Sequence, residues 1–299
     1  MTPAVRLSIR CFNMRLTDIN EIKSLMARHG VHFSKSMGQN FLCAQWVPED
    51  IAAGSTADKE TGVLEVGAGV GCLTVELSAL AKKVVCVELD TSLKPILGET
   101  LAECDNVEIV YGDIMKTNIP ALVEEKFSDC KRVIVCANLP YNITSPVLTA
   151  FVECGKFDAI TVMIQKEVAK RICAKANTAD YGAFSLLMQW HTRPEILFDV
   201  SPGCFIPAPK VTSAVVHMPV RREKPVEVKD EKLMFSIVRA AFNQRRKTLS
   251  NALGNGMGGK FNKEQIAAAI AKCGFDERIR GEALSLADFA ALADALTEN

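Results

Sequence analysis

Apolar positions along the chain recur with two kinds of spacing. From Asp18 to Arg28 the residues Ile19, Ile22, Leu25 and Met26 recur at three and four, which predicts an amphipathic helix capped by Asp18 and ended by Gly30. The stretch His32–Leu42 has no clean period and reads as a loop. Beyond it, short apolar runs at Gly62–Val66, Val84–Glu88, Val107–Tyr111, Arg132–Ala137 and Ile160–Ile164 read as strands. Helical patterns lie between them, such as Leu73, Leu77 and Leu80. That alternation predicts an α/β fold with a mainly parallel sheet covered on both faces.

Two further strands are predicted at Glu195–Val200 and Ala214–Met218. The Pro-rich run Pro202–Pro209 between them is too short for a crossover helix, so an antiparallel edge pair is expected. After the charged linker at Lys224-Pro225 the pattern turns helical, over Lys232–Phe242, Arg246–Leu253, Lys263–Lys272 and Ser285–Leu296. The glycine-rich Gly254–Gly259 reads as a loop. Three regions follow: an N-terminal extension and helix over 1–30, an α/β domain over 31–222 and a helical domain over 223–299.

Composition narrows the class. The 299 residues are 48% hydrophobic and 23% charged, ordinary for a soluble globular protein, and no apolar run approaches the roughly 20 residues that span a bilayer. There are 11 cysteines and no Cys-x-x-Cys pair. Cys86 and Cys136 sit inside apolar runs, where a thiol behaves as a small hydrophobe. This usage predicts a reducing, cytoplasmic setting and no zinc. His29, His32, His191 and His217 have no metal-ligand spacing, so no metal is expected.

Net charge is zero, with 21 Lys+Arg against 24 Asp+Glu in residues 1–220 and 14 against 11 in 221–299. The balance tips toward basic at the C-terminus, but only slightly. Arg6, Arg10 and Arg15 precede any acid. A short organelle-targeting peptide has that form, and Met14 is equally a candidate start.

The candidate chemistry gathers at predicted strand ends, where parallel sheets bind ligands. Val63–Val66 runs into Gly67-Ala68-Gly69-Val70-Gly71 ahead of a helix. A dinucleotide turn wants a small third residue at position 72, which here is Cys72. A Gly-x-Gly-x-Gly turn receives the amino-acid end of S-adenosylmethionine, although the turn alone leaves a dinucleotide fold open. Glu88, 21 residues beyond Gly67, can accept from both ribose hydroxyls, and Asp113 can accept from an adenine amine.

The fourth strand ends in Asn138-Leu139-Pro140-Tyr141, the most specific signal in the chain. The lone pair of adenine's exocyclic nitrogen is delocalised into the ring. The Asn138 amide oxygen and the Leu139 carbonyl can accept its two hydrogens and free that pair for attack on a sulfonium methyl. Pro140 stiffens the turn, and Tyr141 offers a face on which a flipped or single-stranded base can stack. Phe205 is a candidate to close the other face. Catalysis would rest on orientation and electrostatics, with no strong base.

With these motifs in place, the chain resembles the KsgA-type small-subunit (16S) rRNA adenine N6-dimethyltransferases over nearly its whole length. The resemblance rests on Gly38-Gln39-Asn40-Phe41-Leu42, Glu65-Val66-Gly67-Ala68-Gly69, Asn138-Leu139-Pro140-Tyr141, Phe205–Val211 and Phe242–Leu249. It implies a class I S-adenosylmethionine-dependent methyltransferase fold, Rossmann-like, with a small all-helical C-terminal domain. The implied activity is dimethylation of two adjacent adenosines near the 3′ end of small-subunit rRNA, in the immature 30S subunit during ribosome biogenesis. It also implies cofactor contacts at Asn40, Leu42, Gly67, Glu88, Asp113 and Asn138, with Gly69 in the same turn. A monomer is expected. The extension before Met14 departs from the family pattern.

Two basic clusters are candidates for RNA phosphate: Lys166, Lys170, Arg171 and Lys175 on about one helical face, and Arg239, Arg245, Arg246 and Lys247. Charge runs are often only solvated faces. Two competing readings stand beside this one. A large-subunit rRNA adenine methyltransferase of the macrolide-resistance kind would share the pocket. A non-enzymatic binding module on the same scaffold would have a damaged cofactor site.

Overall fold

In a computed structural model that describes residues 14–32 and 39–298, each predicted strand forms, most with one residue more at an end. The elements run α1 (Ile19–Arg28), β1 (Phe41–Leu42), α2 (Trp46–Gly54), β2 (Thr61–Val66), α3 (Cys72–Leu80), β3 (Lys83–Glu88), α4 (Lys94–Thr100), β4 (Val107–Tyr111), α5 (Ile119–Lys126), β5 (Arg132–Asn138), α6 (Thr144–Cys154), β6 (Ala159–Gln165), α7 (Lys166–Cys173), α8 (Ala183–His191), β7 (Glu195–Val200), β8 (Phe205–Ile206), β9 (Ser213–Pro219), α9 (Glu231–Asn243), α10 (Leu249–Gly256), α11 (Lys263–Lys272) and α12 (Leu286–Thr297). The extension before residue 14 and Gly38 lie outside the described residues.

Seven strands form one sheet in the order β4-β3-β2-β5-β6-β9-β7. The pairs β2–β3, β3–β4, β2–β5 and β5–β6 are parallel, and β9 runs antiparallel to β6. The order reverses between β2 and β5, so the loops leaving these two strands diverge to opposite faces and open a crevice. Buried side chains explain the sheet's place in the core. Val63, Leu64, Val84, Val85, Ile134 and Val135 have no exposed surface, as expected of strands covered on both faces.

The described chain divides into two compact units. One comprises the residues through Lys166 with Ile196–Pro219, and the other Glu167–Glu195 with the residues from Val220 on. The sequence boundary at 222 placed α7 and α8 with the sheet, whereas they pack with the C-terminal helices. Tyr181, Leu186 and Trp190 share a core with Leu233, Ile237, Phe289 and Leu292, and the Tyr181 hydroxyl donates to the Leu284 carbonyl at 2.9 Å.

Three local expectations change. Phe41–Leu42, read as loop, pairs antiparallel with Phe205–Ile206. Two-residue strands have no period to read, and the partners lie far apart in sequence. The helix expected from Arg246 begins at Leu249, because Thr248 takes an extended backbone (φ −62°, ψ 154°) and acts as its N-cap. That helix then runs on through Gly254 to Gly256, part of the run read as loop. A Cβ on Gly256 would stand 2.8 Å from the Ala240 Cβ of α9, so glycine lets the two helices touch.

Candidate active site

The crevice at the carboxyl ends of β2, β3, β4 and β5 measures about 1010 Å³ with the solvent at its open mouth included. Its floor is the turn from β2 into α3. Gly67 and Gly69 both have positive φ (77° and 59°) there, so their amides point where side-chain-bearing residues would not turn them. A Cβ on Gly69 would also crowd the Phe41 ring at 3.3 Å. The close approach of Phe41 brings Asn40, Phe41 and Leu42 to the wall of the crevice.

Glu88 ends β3 and is 5% exposed. Its Oε2 accepts from the Gly69 amide at 3.2 Å and its Oε1 from the Asp90 amide at 2.8 Å. Burial pushes its carboxyl above the usual range, and these amides hold it partly back. Each oxygen keeps a lone pair for a ligand hydroxyl. Asp90 in turn receives Gln39 Nε2 at 2.6 Å. Asp113, past the end of β4, accepts the Met115 amide at 2.9 Å and also lines the crevice.

Glu65 has no role legible in the sequence beyond its place in the glycine motif. It is 1% exposed, lines the crevice, and its Oε2 has no hydrogen-bond partner among the described residues. Burial pushes its pKa up to about 8, the nearby Thr74 hydroxyl opposing and the Glu88 carboxylate adding to the rise. A buried acid with an unpaired oxygen suits a cationic ligand, which would favour its ionised form and meet a polar atom that is costly to leave unpaired. The available signal was one acid inside the apolar run Val63-Leu64-Glu65-Val66. Leu89, 56% exposed, and Ile114, 5% exposed, also line the crevice. They follow Glu88 and Asp113 in sequence and could have been found by that adjacency.

At the end of β5 the Asn138 side chain turns its Nδ2 toward the Asn40 carbonyl, 3.5 Å away. With the amide nitrogen directed there, Oδ1 is the atom with acceptor capacity to spare. The Leu139 amide donates to the Met163 carbonyl at 3.1 Å, which fixes the Asn138–Leu139 peptide, one peptide before the Leu139 carbonyl. The Pro140 carbonyl accepts from the Ile143 amide and from the Thr144 hydroxyl, both at 3.2 Å. Tyr141 lines the crevice, and burial pushes its phenol up. The arrangement places the Asn138 amide, Leu139 and the Tyr141 ring at the same crevice as the glycine turn.

Phe205 is not brought to this crevice. It is 4% exposed and packs in the core with Leu42, Val47 and Ile51, because its strand pairing to Leu42 turns the ring inward. Of the basic residues, Lys166 pairs with Asp199 at 2.5 Å, Arg171 with Glu167 at 2.9 Å and Arg245 with Glu282 at 3.4 Å. Lys170, Arg246 and Lys247 are exposed. Lys175 lies beyond the end of α7, so the four residues of that cluster do not share one helical face. Among the described residues no group of three or more His, Cys, Asp or Glu could hold a metal, and no helix is long and apolar enough to cross a membrane.

A family profile described as "Ribosomal RNA adenine dimethylase" matches residues 30–296. The chain is similar to the "Ribosomal RNA small subunit methyltransferase A" of Clostridium perfringens, at 45% identity over 93% of this chain and 98% of that one. It is similar to the protein of the same name from Geobacillus thermodenitrificans, at 43% identity over 92% and 94%. Among solved structures, the 23S rRNA methyltransferase ErmE superposes with a TM-score of 0.66 and 26% identity, covering 86% of this chain and 100% of that one. A dimethyladenosine transferase from Plasmodium falciparum superposes with a TM-score of 0.71 over 84% and 95%, at 24% identity, and bears on the fold.

Proposed function

The chain belongs to the ribosomal RNA adenine dimethylase family and has the class I S-adenosylmethionine-dependent methyltransferase fold, and on that premise we propose that it dimethylates the exocyclic amine of adenine in small-subunit (16S) rRNA. Its targets are two adjacent adenosines near the 3′ end, modified in the immature 30S subunit, and it acts as a monomer. Similarity to small-subunit relatives at 45% identity, against 26% for a large-subunit methyltransferase, favours this target over the large subunit.

The residues of the crevice fit S-adenosylmethionine. The orphaned Glu65 oxygen suits the cofactor's ammonium group, and the Gly67 and Gly69 turn gives its amino-acid end room and amides. Glu88 suits the ribose hydroxyls and Asp113 the adenine amine, with Leu89 and Ile114 for the ring faces. Asn40 and Leu42 close the near wall. When bound, the cofactor supplies a methyl group on a positively charged sulfur.

The observation that carries the catalytic role is the orientation of Asn138. In the first transfer its amide oxygen and the Leu139 carbonyl accept the two hydrogens of the adenine amine, and in the second one of them accepts the single hydrogen that remains. That draws the nitrogen toward a tetrahedral geometry and localises its lone pair. Pro140 holds the turn and Tyr141 stacks on the base. Transfer makes the amine transiently cationic, so the same two oxygens stabilise the charge that develops, and the surplus proton then leaves to water. Phe205 serves here by holding the Leu42 edge from within the core.

The helical C-terminal domain binds RNA in this reading. Lys170, Arg246 and Lys247 contact phosphate directly, and Arg171 and Arg245 exchange their carboxylate partners for phosphate; in the sheet unit Lys166 exchanges Asp199 in the same way. Incubation with unmodified small subunits, with large subunits and with labelled S-adenosylmethionine tests the proposal. Label is expected in dimethyladenosine of the small subunit. Label in the large subunit alone would overturn the target, and no transfer at all would overturn the activity.

A further inference from the structure

Behind the catalytic turn lies a residue that touches neither crevice nor solvent. Ser213 is fully buried, and its Oγ lies 2.6 Å from the Tyr141 hydroxyl. We propose that Ser213 is a positioning residue for the methyl transfer, holding the Tyr141 ring at the angle the stacked adenine requires. The inference rests on the functional reading above, since it takes Tyr141 as the base-stacking face.

Topology explains how a residue so distant in sequence arrives there. The parallel strands β2 to β6 end at the edge of the sheet that carries the crevice. β9 is antiparallel, so its first residue sits at that edge, where Ser213 pairs in register with Gln165, the last residue of β6. One strand over, Asn138 pairs with Met163, and the chain turns through Leu139 and Pro140 to Tyr141. The Tyr141 hydroxyl thus reaches back over the end of β6 to an atom held by a seven-pair ladder.

The chemistry favours a pin over a proton relay. A tyrosine ring has two soft torsions, and a base stacked on it makes no directional bond that could set them. One hydrogen bond at the far end of the ring sets both. Either hydroxyl can be the donor. Burial of Ser213 excludes water from replacing the bond if one partner is lost. No charged group is needed, because the reaction asks for alignment of the base amine.

The test uses full-length protein, unmodified small subunits and labelled S-adenosylmethionine. Ser213→Ala is expected to lower kcat about tenfold, the scale on which sub-ångström misplacement acts. Cofactor Kd and the KM for subunits are expected to change by less than about twofold, because neither binding surface includes Ser213. Ser213→Thr, which keeps the hydroxyl on a β-branched strand residue, is expected to restore most of the rate. Tyr141→Phe keeps the ring and loses the same bond, so it should match Ser213→Ala, and the double variant should be no slower than the slower single one.

An unchanged kcat in Ser213→Ala overturns the inference, and so do additive losses in the double variant or a threonine no better than alanine. A parallel loss of cofactor affinity also overturns it, since that marks general damage to the pocket. If Ser213→Ala does not fold, Tyr141→Phe carries the test, and an unchanged kcat there overturns the inference. Failure of the unaltered protein to methylate small subunits is a separate result. It removes the functional reading itself, and the inference with it.

Discussion

Asn138 and Asn40 stand 98 residues apart in sequence, and the amide nitrogen of the first faces the backbone carbonyl of the second at 3.5 Å. The contact sets which end of the Asn138 amide is left for a ligand. It also links the catalytic turn to the wall beside the glycine loop. Asn138 therefore sits between the wall that Asn40 forms and the turn that leads to Tyr141.

Asn138→Ala is expected to lower kcat by about 100-fold or more, the scale seen when one preorganised polar contact to a transition state is removed. Subunit binding should persist, because it depends on phosphate contacts elsewhere. Single-turnover methylation and a filter-binding assay on the same preparation separate the two. Activity within a few-fold of the unaltered protein would exclude Asn138 from the chemistry.

On the proposed cofactor site, Glu65 makes binding a proton-linked event. In the free protein its carboxyl holds its proton until about pH 8, against an ordinary value of 4.5. An ammonium placed against it favours the carboxylate, so binding near pH 7 expels a proton, and affinity rises with pH up to that value. Calorimetry in two buffers of different ionisation enthalpy should detect the release, and Glu65→Gln should abolish it. Equal heats in both buffers would count against the assignment.

The same shift has a stability consequence of defined sign. Between 4.5 and about 8 the folded protein binds a proton that the unfolded chain has lost, so stability from this group falls as pH rises through that window. Glu65→Gln, always neutral, should therefore raise Tm more in mildly alkaline than in mildly acidic buffer. A Tm difference independent of pH would show that Glu65 is ionised throughout.

Gly69→Ala combines a positive φ with a Cβ 3.3 Å from the Phe41 ring. The backbone strain amounts to about 1 kcal/mol. Tm should fall modestly, and cofactor affinity should fall at least about tenfold as the turn or Phe41 shifts. Equilibrium dialysis against S-adenosylhomocysteine measures the second effect. Unchanged affinity would mean that the cofactor does not sit against this turn.

Reversing Arg245, Arg246 and Lys247 to Glu should weaken subunit binding and flatten its dependence on salt, since each lost phosphate contact lowers the slope by about one. Cofactor affinity should stay as it was. Binding titrations at several salt concentrations give the slope, and an unaltered slope would show that this turn does not meet RNA.

Much of the sheet domain was legible because its signals are local. Val107–Tyr111 forms the strand its apolar run predicts, and Asp18 caps α1 by accepting from the Asn20 and Glu21 amides. The glycine turn, Glu88, Asp113 and Asn138-Leu139-Pro140-Tyr141 each sit at a strand end, so a parallel sheet brings them to one edge whatever the rest of the chain does. The helix at Trp46–Gly54 was not anticipated, nor was the strand at Phe41–Leu42, which exists only by pairing with Phe205–Ile206.

By itself, then, the order of residues determined the alternation of strands and helices and the ligand-type groups at four strand ends, since both follow from side-chain period and backbone preference within a short window. Only the tertiary structure decided what those groups face. It buried Phe205 in the core, left one oxygen of Glu65 without a partner among the described residues, turned the Asn138 amide toward Asn40 and set Ser213 behind Tyr141. These are contacts between segments distant in sequence. Their outcome depends on which neighbour the whole fold places within hydrogen-bonding distance, and no local pattern carries that information.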